Sequence, residues 1–140
     1  MNIIDKFSMF YVDLASMKID GLANIYRKDV VFIDPIAQHQ GLDAVERYFT
    51  RLLGNAKFCK FTIHSKAQSD EFNATVSWTM SYTSSKLNSG RPIDVDGVTV
   101  IKIENNMIVY HRDYYDLGQM VYEHIPILGR LISKIKRTVG

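Results

Sequence analysis

The amino-acid sequence predicts a single α+β domain, in which helices cover one face of an antiparallel or mixed β-sheet and an amphipathic helix closes the chain. Three observations carry this. Apolar residues recur at helical spacing through the first third of the chain, switch to a period of two from Lys57 onward, and return to helical spacing after Gly118. Helices first, then a run of strands, then a last helix is the order of an α+β fold and not of alternating βαβ units.

Each element follows from its residues. Ile3, Ile4, Phe7, Phe10, Tyr11 and Leu14 place an amphipathic helix over roughly 2–17. Asp20-Gly21 breaks it, and Asp20 is expected to cap a short second helix through Leu22, Ile25 and Tyr26. The apolar run Val30-Val31-Phe32-Ile33 stops at Asp34-Pro35, where proline ends regular pairing and pushes Asp34 into an extended conformation. After the connection Gln38-His39-Gln40-Gly41, a third helix runs from Leu42 to Leu53 with Val45, Tyr48, Phe49, Leu52 and Leu53 on one face, and Gly54-Asn55 closes it. Phe61 and Ile63 then alternate with polar residues. In the clearest strand, Phe72 to Thr83, Phe72, Ala74, Val76, Trp78, Met80 and Tyr82 share one face. Strands Ile93 to Ile103 and Met107 to Asp116 follow, joined at an Asn105-Asn106 turn. The closing helix carries Met120, Val121, His124, Leu128, Leu131, Ile132, Ile135 and Val139 as an apolar stripe, with Pro126 suited to a first turn.

Composition narrows the class. An apolar fraction of 46% and a charged fraction of 23% over 140 residues suit one globular domain. No apolar run approaches a membrane span, and charges within the first fifteen residues disfavour a secretory signal. The single cysteine, Cys59, excludes an internal disulfide and a cysteine-based zinc cluster, and its apolar strand setting marks a buried structural thiol. A reducing cytoplasm is the expected location. The net charge of +2 is too small to point to nucleic acid. What basic character there is lies beyond Gly118, where Arg130, Lys134, Lys136 and Arg137 face Glu123 alone.

The strings Phe32-Ile33-Asp34-Pro35, Gly41-Leu42-Asp43-Ala44-Val45, Gly97-Val98-Thr99-Val100 and Arg112-Asp113-Tyr114-Tyr115-Asp116, in this order of elements, resemble the SnoaL-like (nuclear-transport-factor-2-like) superfamily. The resemblance spans nearly all of Ile3 to Leu117. It implies a cone, a strongly curved sheet wrapped around the N-terminal helices with a pocket at the wide end, and homodimers formed through the sheet. Residues 1–117 then form the domain, and 118–140 an amphipathic basic helix packed on it.

The same resemblance supplies candidate chemistry. Asp34 falls where ketosteroid isomerases place their aspartate base, and Tyr11 where they place a tyrosine donor. Their second donor is missing, with Thr99 at its position and Asp94 and Asp96 a few residues too early, so at most half an oxyanion hole is implied. The alternative for this pair is a turn cap and a core aromatic. Limonene epoxide hydrolases end a strand much as Arg112 to Asp116 does. Their Arg-x-Asp partner is absent from Ser77-Trp78-Thr79-Met80-Ser81, so epoxide hydrolysis is disfavoured. Polyketide cyclases use an acid or base on a late strand together with a histidine. Strand parity puts Val109, His111, Asp113 and Tyr115 on one face here. A His111/Asp113 pair can take a proton next to a carbonyl, or be a mutually satisfied buried pair.

The expected site is therefore a hydrophobic cavity walled by Trp78, Met80, Tyr82 and Tyr115, with Asp34, Asp113, His111 and Tyr11 as its catalytic or anchoring groups. Its ligand is a small hydrophobic or carbonyl-containing molecule, bound without cofactor or metal, since no His, Asp and Glu group has metal spacing and no phosphate loop or dinucleotide fingerprint is present. His39 and His64 fall on turn or solvent-face positions. The last helix can lie on an anionic membrane surface, cover the pocket mouth or a dimer seam, or act as the contact face of an interaction module. Its short stripe and four cations favour packing on the protein.

Overall fold

The computed structural model describes residues 2–12, 14–16, 18–55 and 58–140. Two expected boundaries, the helix end at Met17 and the change of period at Lys57, lie outside these residues. Helix α1 (Ile3–Val12) buries Ile3, Ile4, Phe7, Phe10 and Tyr11, and the Asn2 side chain accepts the Asp5 N–H at its start. A 3-10 turn at Leu14–Ser16 and a second at Ile19–Asn24 follow.

Two local expectations fail here. Asp20 does not cap the second segment, because that turn starts after Lys18, has no side-chain cap, and contains Asp20 in its first turn. Tyr26 is not helical but opens strand β1 (Tyr26–Ile33). Pairing decides this: Tyr26 lies opposite Ile108, whose N–H bonds the Ile25 carbonyl at 2.9 Å, and a sheet ladder outweighs a short run of helical apolar spacing.

Asp34 to Ala37 turns the chain into a short strand β2 (Gln38–Gln40), which the sequence had left as connection. Gly41, in the left-handed region at φ 87°, then admits helix α2 (Leu42–Asn55), with Val45 and Phe49 buried. Strands β3 (Phe58–Gln68), β4 (Asn73–Thr83), β5 (Ile93–Glu104) and β6 (Met107–Tyr115) complete a six-stranded sheet in the order β2-β1-β6-β5-β4-β3. Only the β1–β6 contact is parallel, so the sheet is mixed. The α+β architecture is as expected, but the sheet is not strongly curled into the cone that the resemblance implied.

The alternation in β4 holds in full: Ala74, Val76, Trp78, Met80 and Tyr82 are buried. Phe72 lies just before the strand and is 53% exposed. In β6 the alternation breaks at a bulge, where Lys102 pairs with Tyr110 but Ile103 pairs with Ile108. Ile108, not Val109, therefore reaches the core, while His111, Asp113 and Tyr115 keep the expected face. Asn105 and Asn106 both adopt left-handed φ, 50° and 57°, as a tight β5–β6 hairpin requires.

Gly97 is where β5 makes room for the Trp78 indole. A Cβ there would meet three ring atoms at 2.2 to 2.7 Å. Gly97→Ala should therefore cost about 1–3 kcal/mol of stability through overpacking. A red-shifted Trp78 emission should accompany it; an unchanged spectrum and urea midpoint would mean the ring moves freely.

After β6, Asp116 caps helix α3 (Leu117–Met120) by accepting the Gln119 N–H. The Tyr82 hydroxyl donates to the Met120 carbonyl, tying this segment to β4. A 3-10 turn at Tyr122–His124 leads to helix α4 (Pro126–Val139), with Pro126 in its first turn as expected. No helix among the described residues is long and apolar enough to cross a membrane.

Candidate ligand site

Between α1, α2 and the inner sheet face lies a cavity of about 40 Å³ whose walls include Asp34, Asp113, Tyr11, Tyr115, Trp78 and Met80. Six of the eight residues named from sequence thus meet at one place. His111 stands behind them, 1% exposed and stacked on Phe32 at 4.0 Å between ring centroids. Tyr82 belongs to a neighbouring apolar recess of about 130 Å³, together with Cys59, Leu87 and Val121. Leu52, Met80 and Met120 line both spaces, so three adaptable side chains form the partition.

The polar groups form one chain of hydrogen bonds. The Tyr11 and Tyr26 hydroxyls are 2.6 Å apart, and Tyr26 lies 2.8 Å from His111 Nδ1. His111 Nε2 is 2.7 Å from Asp113 Oδ1. From the other side Trp78 donates to Thr99 (2.8 Å), and Thr99 donates to the same Asp113 oxygen (2.6 Å). An indole N–H can only donate and a carboxylate can only accept, so with Asp113 ionised the Thr99 oxygen accepts from Trp78 and its proton points to Asp113. With Asp113 ionised and His111 neutral, every bond can run toward Oδ1. His111 then carries its proton on Nε2 and accepts the Tyr26 proton at Nδ1, and Tyr26 accepts from Tyr11. In that arrangement Tyr11 spends its proton inside the protein, so it is not a free donor toward a ligand.

Tyr115 is differently placed. Its hydroxyl makes no hydrogen bond among the described residues, and it lines the same cavity as Asp113 and Asp34. Burial, and then the two carboxylates, push its phenol far above the ordinary value, so it stays a proton donor. Burial likewise holds Tyr11 and Tyr26 protonated, and it raises the Cys59 thiol to about 12, leaving that group neutral.

Asp34, 7% exposed, is fully engaged. Its Oδ1 accepts the Ile36 and Ala37 N–H groups at 2.9 and 3.0 Å, and its Oδ2 accepts the Tyr48 hydroxyl at 2.5 Å. Asp34→Ala would strand all three donors and should cost about 2–4 kcal/mol. A urea midpoint within error of the wild type would show that the carboxylate does not hold the turn.

Sequence reasoning missed Tyr26, the link between Tyr11 and His111, because the charged run Arg27, Lys28 and Asp29 separates it from the apolar part of its strand. It also missed Tyr48 as a partner of Asp34; the only signal was its place on the apolar face of α2. His39 was expected on the surface but packs 4.3 Å from the Tyr48 ring, its Nε2 buried and without a partner among the described residues. His64 does lie on the outer sheet face, 2.7 Å from the Thr79 hydroxyl. The inner β4 positions beside the cavity are Trp78 and Met80, an apolar wall without the acid and arginine of an epoxide hydrolase. No group of metal-ligating side chains forms among the described residues.

A mixed sheet with helices on one face, enclosing a carboxylate and phenols among aromatic walls, defines a nuclear-transport-factor-2-like protein. The model of the SnoaL-like domain matches residues 8–111, and the chain belongs to that family. No curated protein matches it. Among solved structures, it is similar to a protein of ketosteroid-isomerase-like fold from Catenulispora acidiphila DSM 44928 in complex with trimethylamine. That match has a TM-score of 0.74 and 16% identity, and covers 87% of this chain and 90% of that one. TerC co-crystallised with polyporic acid is similar at a TM-score of 0.72 and 13% identity, over 84% and 94% of the two chains. An LEH-like epoxide hydrolase of M. tuberculosis is similar at 0.69 and 18%, over 84% and 81%. At these identities the likeness is one of fold.

Proposed function

We propose that the protein binds a small, largely apolar carbonyl compound and moves a proton on the carbon next to the carbonyl, as an isomerase or cyclase does. The observation that carries this is the arrangement at Asp113. Donors converge on its Oδ1, its Oδ2 has no hydrogen-bond partner among the described residues, and Asp113 and the unpartnered Tyr115 line one cavity. In the proposed step the C–H bond breaks, its proton goes to Asp113 Oδ2, and the electron pair passes to the carbonyl oxygen. Tyr115 donates a hydrogen bond to the resulting enolate. The proton then returns at another carbon, or the enolate carbon closes a ring on a second carbonyl carbon of the same molecule, whose C=O π pair passes to its oxygen and takes the proton back from Asp113.

The cavity is smaller than the roughly 300 Å³ of a common ligand site. Binding therefore requires Met80 and Met120 to move apart and join it to the recess lined by Cys59, Tyr82 and Leu87. The polar end of the ligand would lie at Asp113 and Tyr115, and its apolar body would run toward that recess. Neighbours that hold trimethylamine and polyporic acid support a ligand role in general, without specifying this one. A homodimer through the outer sheet face, where Val98, Val100 and Tyr114 lie, and a cytoplasmic location belong to the same proposal.

The test is hydrogen–deuterium exchange in D₂O with a panel of cyclic and aromatic ketones followed by ¹H NMR. Protein-dependent loss of the α-proton signal is the expected result. Ligand-dependent shifts in the protein spectrum with no exchange would make the site a binding site only. Neither effect across the panel would overturn the reading.

A further inference from the structure

Helix α4 presents an apolar ridge that none of the described residues covers. Ile127, Leu131, Ile135 and Val139, each four residues from the next, are 83%, 53%, 53% and 83% exposed. At 100° per residue they form one continuous stripe, with the half-buried Leu128 and Ile132 along its edge. Arg130, Lys134 and Arg137 run along the other flank, and none has an acidic partner within salt-bridge distance among the described residues.

The helix turns this ridge outward because its opposite side is already committed. Gly129, the one buried residue of α4, lies so close to the preceding turn that a Cβ on it would be 2.4 Å from the Glu123 carbonyl oxygen. About two turns later Lys136 bonds Glu123 at 3.2 Å and Asp116 at 3.4 Å, fixing the rotation of the helix about its axis. The face around Gly129 and Lys136 therefore packs on the protein, and Ile127, Leu131, Ile135 and Val139 do not.

We propose that this ridge docks on an anionic lipid bilayer surface, with α4 lying in the interfacial plane. Charge complementarity selects this occupant. The helix carries four basic residues and no acidic one. Two copies meeting ridge to ridge would crowd three unpaired cations from each into a common rim, whereas an anionic headgroup layer neutralises them. The apolar side chains enter the acyl boundary, and the long basic side chains reach back to the headgroups. At 14 residues the helix is far too short to span a bilayer, so the contact is reversible and lies at the surface.

The experiment is co-sedimentation of the full chain with phosphatidylcholine vesicles containing 25% phosphatidylglycerol, compared with vesicles of phosphatidylcholine alone. Binding only to the anionic vesicles, weakened by salt, is the expected result. Lys134→Gln and Arg137→Gln should each weaken it about fivefold. Leu131→Asp with Ile135→Asp should abolish it while leaving the circular dichroism spectrum unchanged, since both positions are exposed. Equal binding to both vesicle types, or none to either, would overturn the proposal. So would a dimer in sedimentation velocity that the Leu131→Asp, Ile135→Asp variant dissociates, because the ridge would then be covered by a second copy.

Discussion

Asp113→Asn is expected to slow α-proton exchange by about 10²- to 10⁴-fold while leaving the fold nearly intact. The amide oxygen can still accept from His111 and Thr99, the two donors now on Oδ1. The amide nitrogen then occupies the position of Oδ2, where it cannot take a proton. Thermal midpoint and catalysis should thus separate: a shift of only a few degrees, with exchange lost. Asp34→Asn should show the reverse, because its Oδ2 serves Tyr48 and its Oδ1 serves the turn. Exchange by wild-type protein that survives in Asp113→Asn would move the base elsewhere and leave Asp113 as a structural link. Tyr115→Phe separates the donor from the base, since it removes the only phenol facing the cavity that has no internal partner among the described residues.

The second large effect is alkaline unfolding. Tyr11, Tyr26 and Tyr48 are all held well above the ordinary phenol value, first by burial; in Tyr48 the adjacent Asp34 carboxylate adds to it. In the unfolded chain each phenol ionises near pH 10, while in the folded chain it keeps its proton. Above about pH 10 the unfolded state therefore binds fewer protons than the native one, and stability falls as pH rises. Below that point the contribution is fully present. Each phenol contributes a slope of about 1.4 kcal/mol per pH unit, so the three together give about 4. A domain of ordinary stability, roughly 5–15 kcal/mol, should unfold between about pH 11 and 14. Tyrosine absorbance at 295 nm and far-UV circular dichroism should then change together. Tyr48→Phe should reduce the slope by about 1.4 kcal/mol per pH unit. Since exposed tyrosines such as Tyr114 and Tyr122 also absorb on ionising, only an absorbance rise near pH 10 accounting for all eight tyrosines with the fold intact would mean that the buried phenols reach solvent without unfolding.

Much of the site was legible in the sequence because strand parity is a short-range property. The alternation in β4 put Trp78 and Met80 on the inner face, and that in β6 put His111, Asp113 and Tyr115 together. The β5–β6 turn was legible for a similar reason: Asn105 and Asn106 tolerate the left-handed backbone that a tight hairpin requires. Tyr26 was not legible, since its end of β1 is paired with β6 alone, more than eighty residues later in the chain. The β6 bulge was hidden too, since one extra residue leaves no local pattern and yet exchanges Ile108 for Val109 at the core.

For this protein the sequence alone determined the α+β class, the family resemblance, the helix faces and the inner residues of the long strands. These follow from periodicities of two and 3.6, which are set by the backbone geometry of a few neighbouring residues. Only the tertiary structure decided what those residues do to one another. It engaged Asp34 with Tyr48 and the turn, directed the polar chain from Tyr11 and Trp78 onto Asp113, and left Tyr115 free. It also turned the α4 ridge outward by seating Gly129 on Glu123. Hydrogen-bond direction and helix rotation depend on partners brought together by the fold, and no local pattern encodes them.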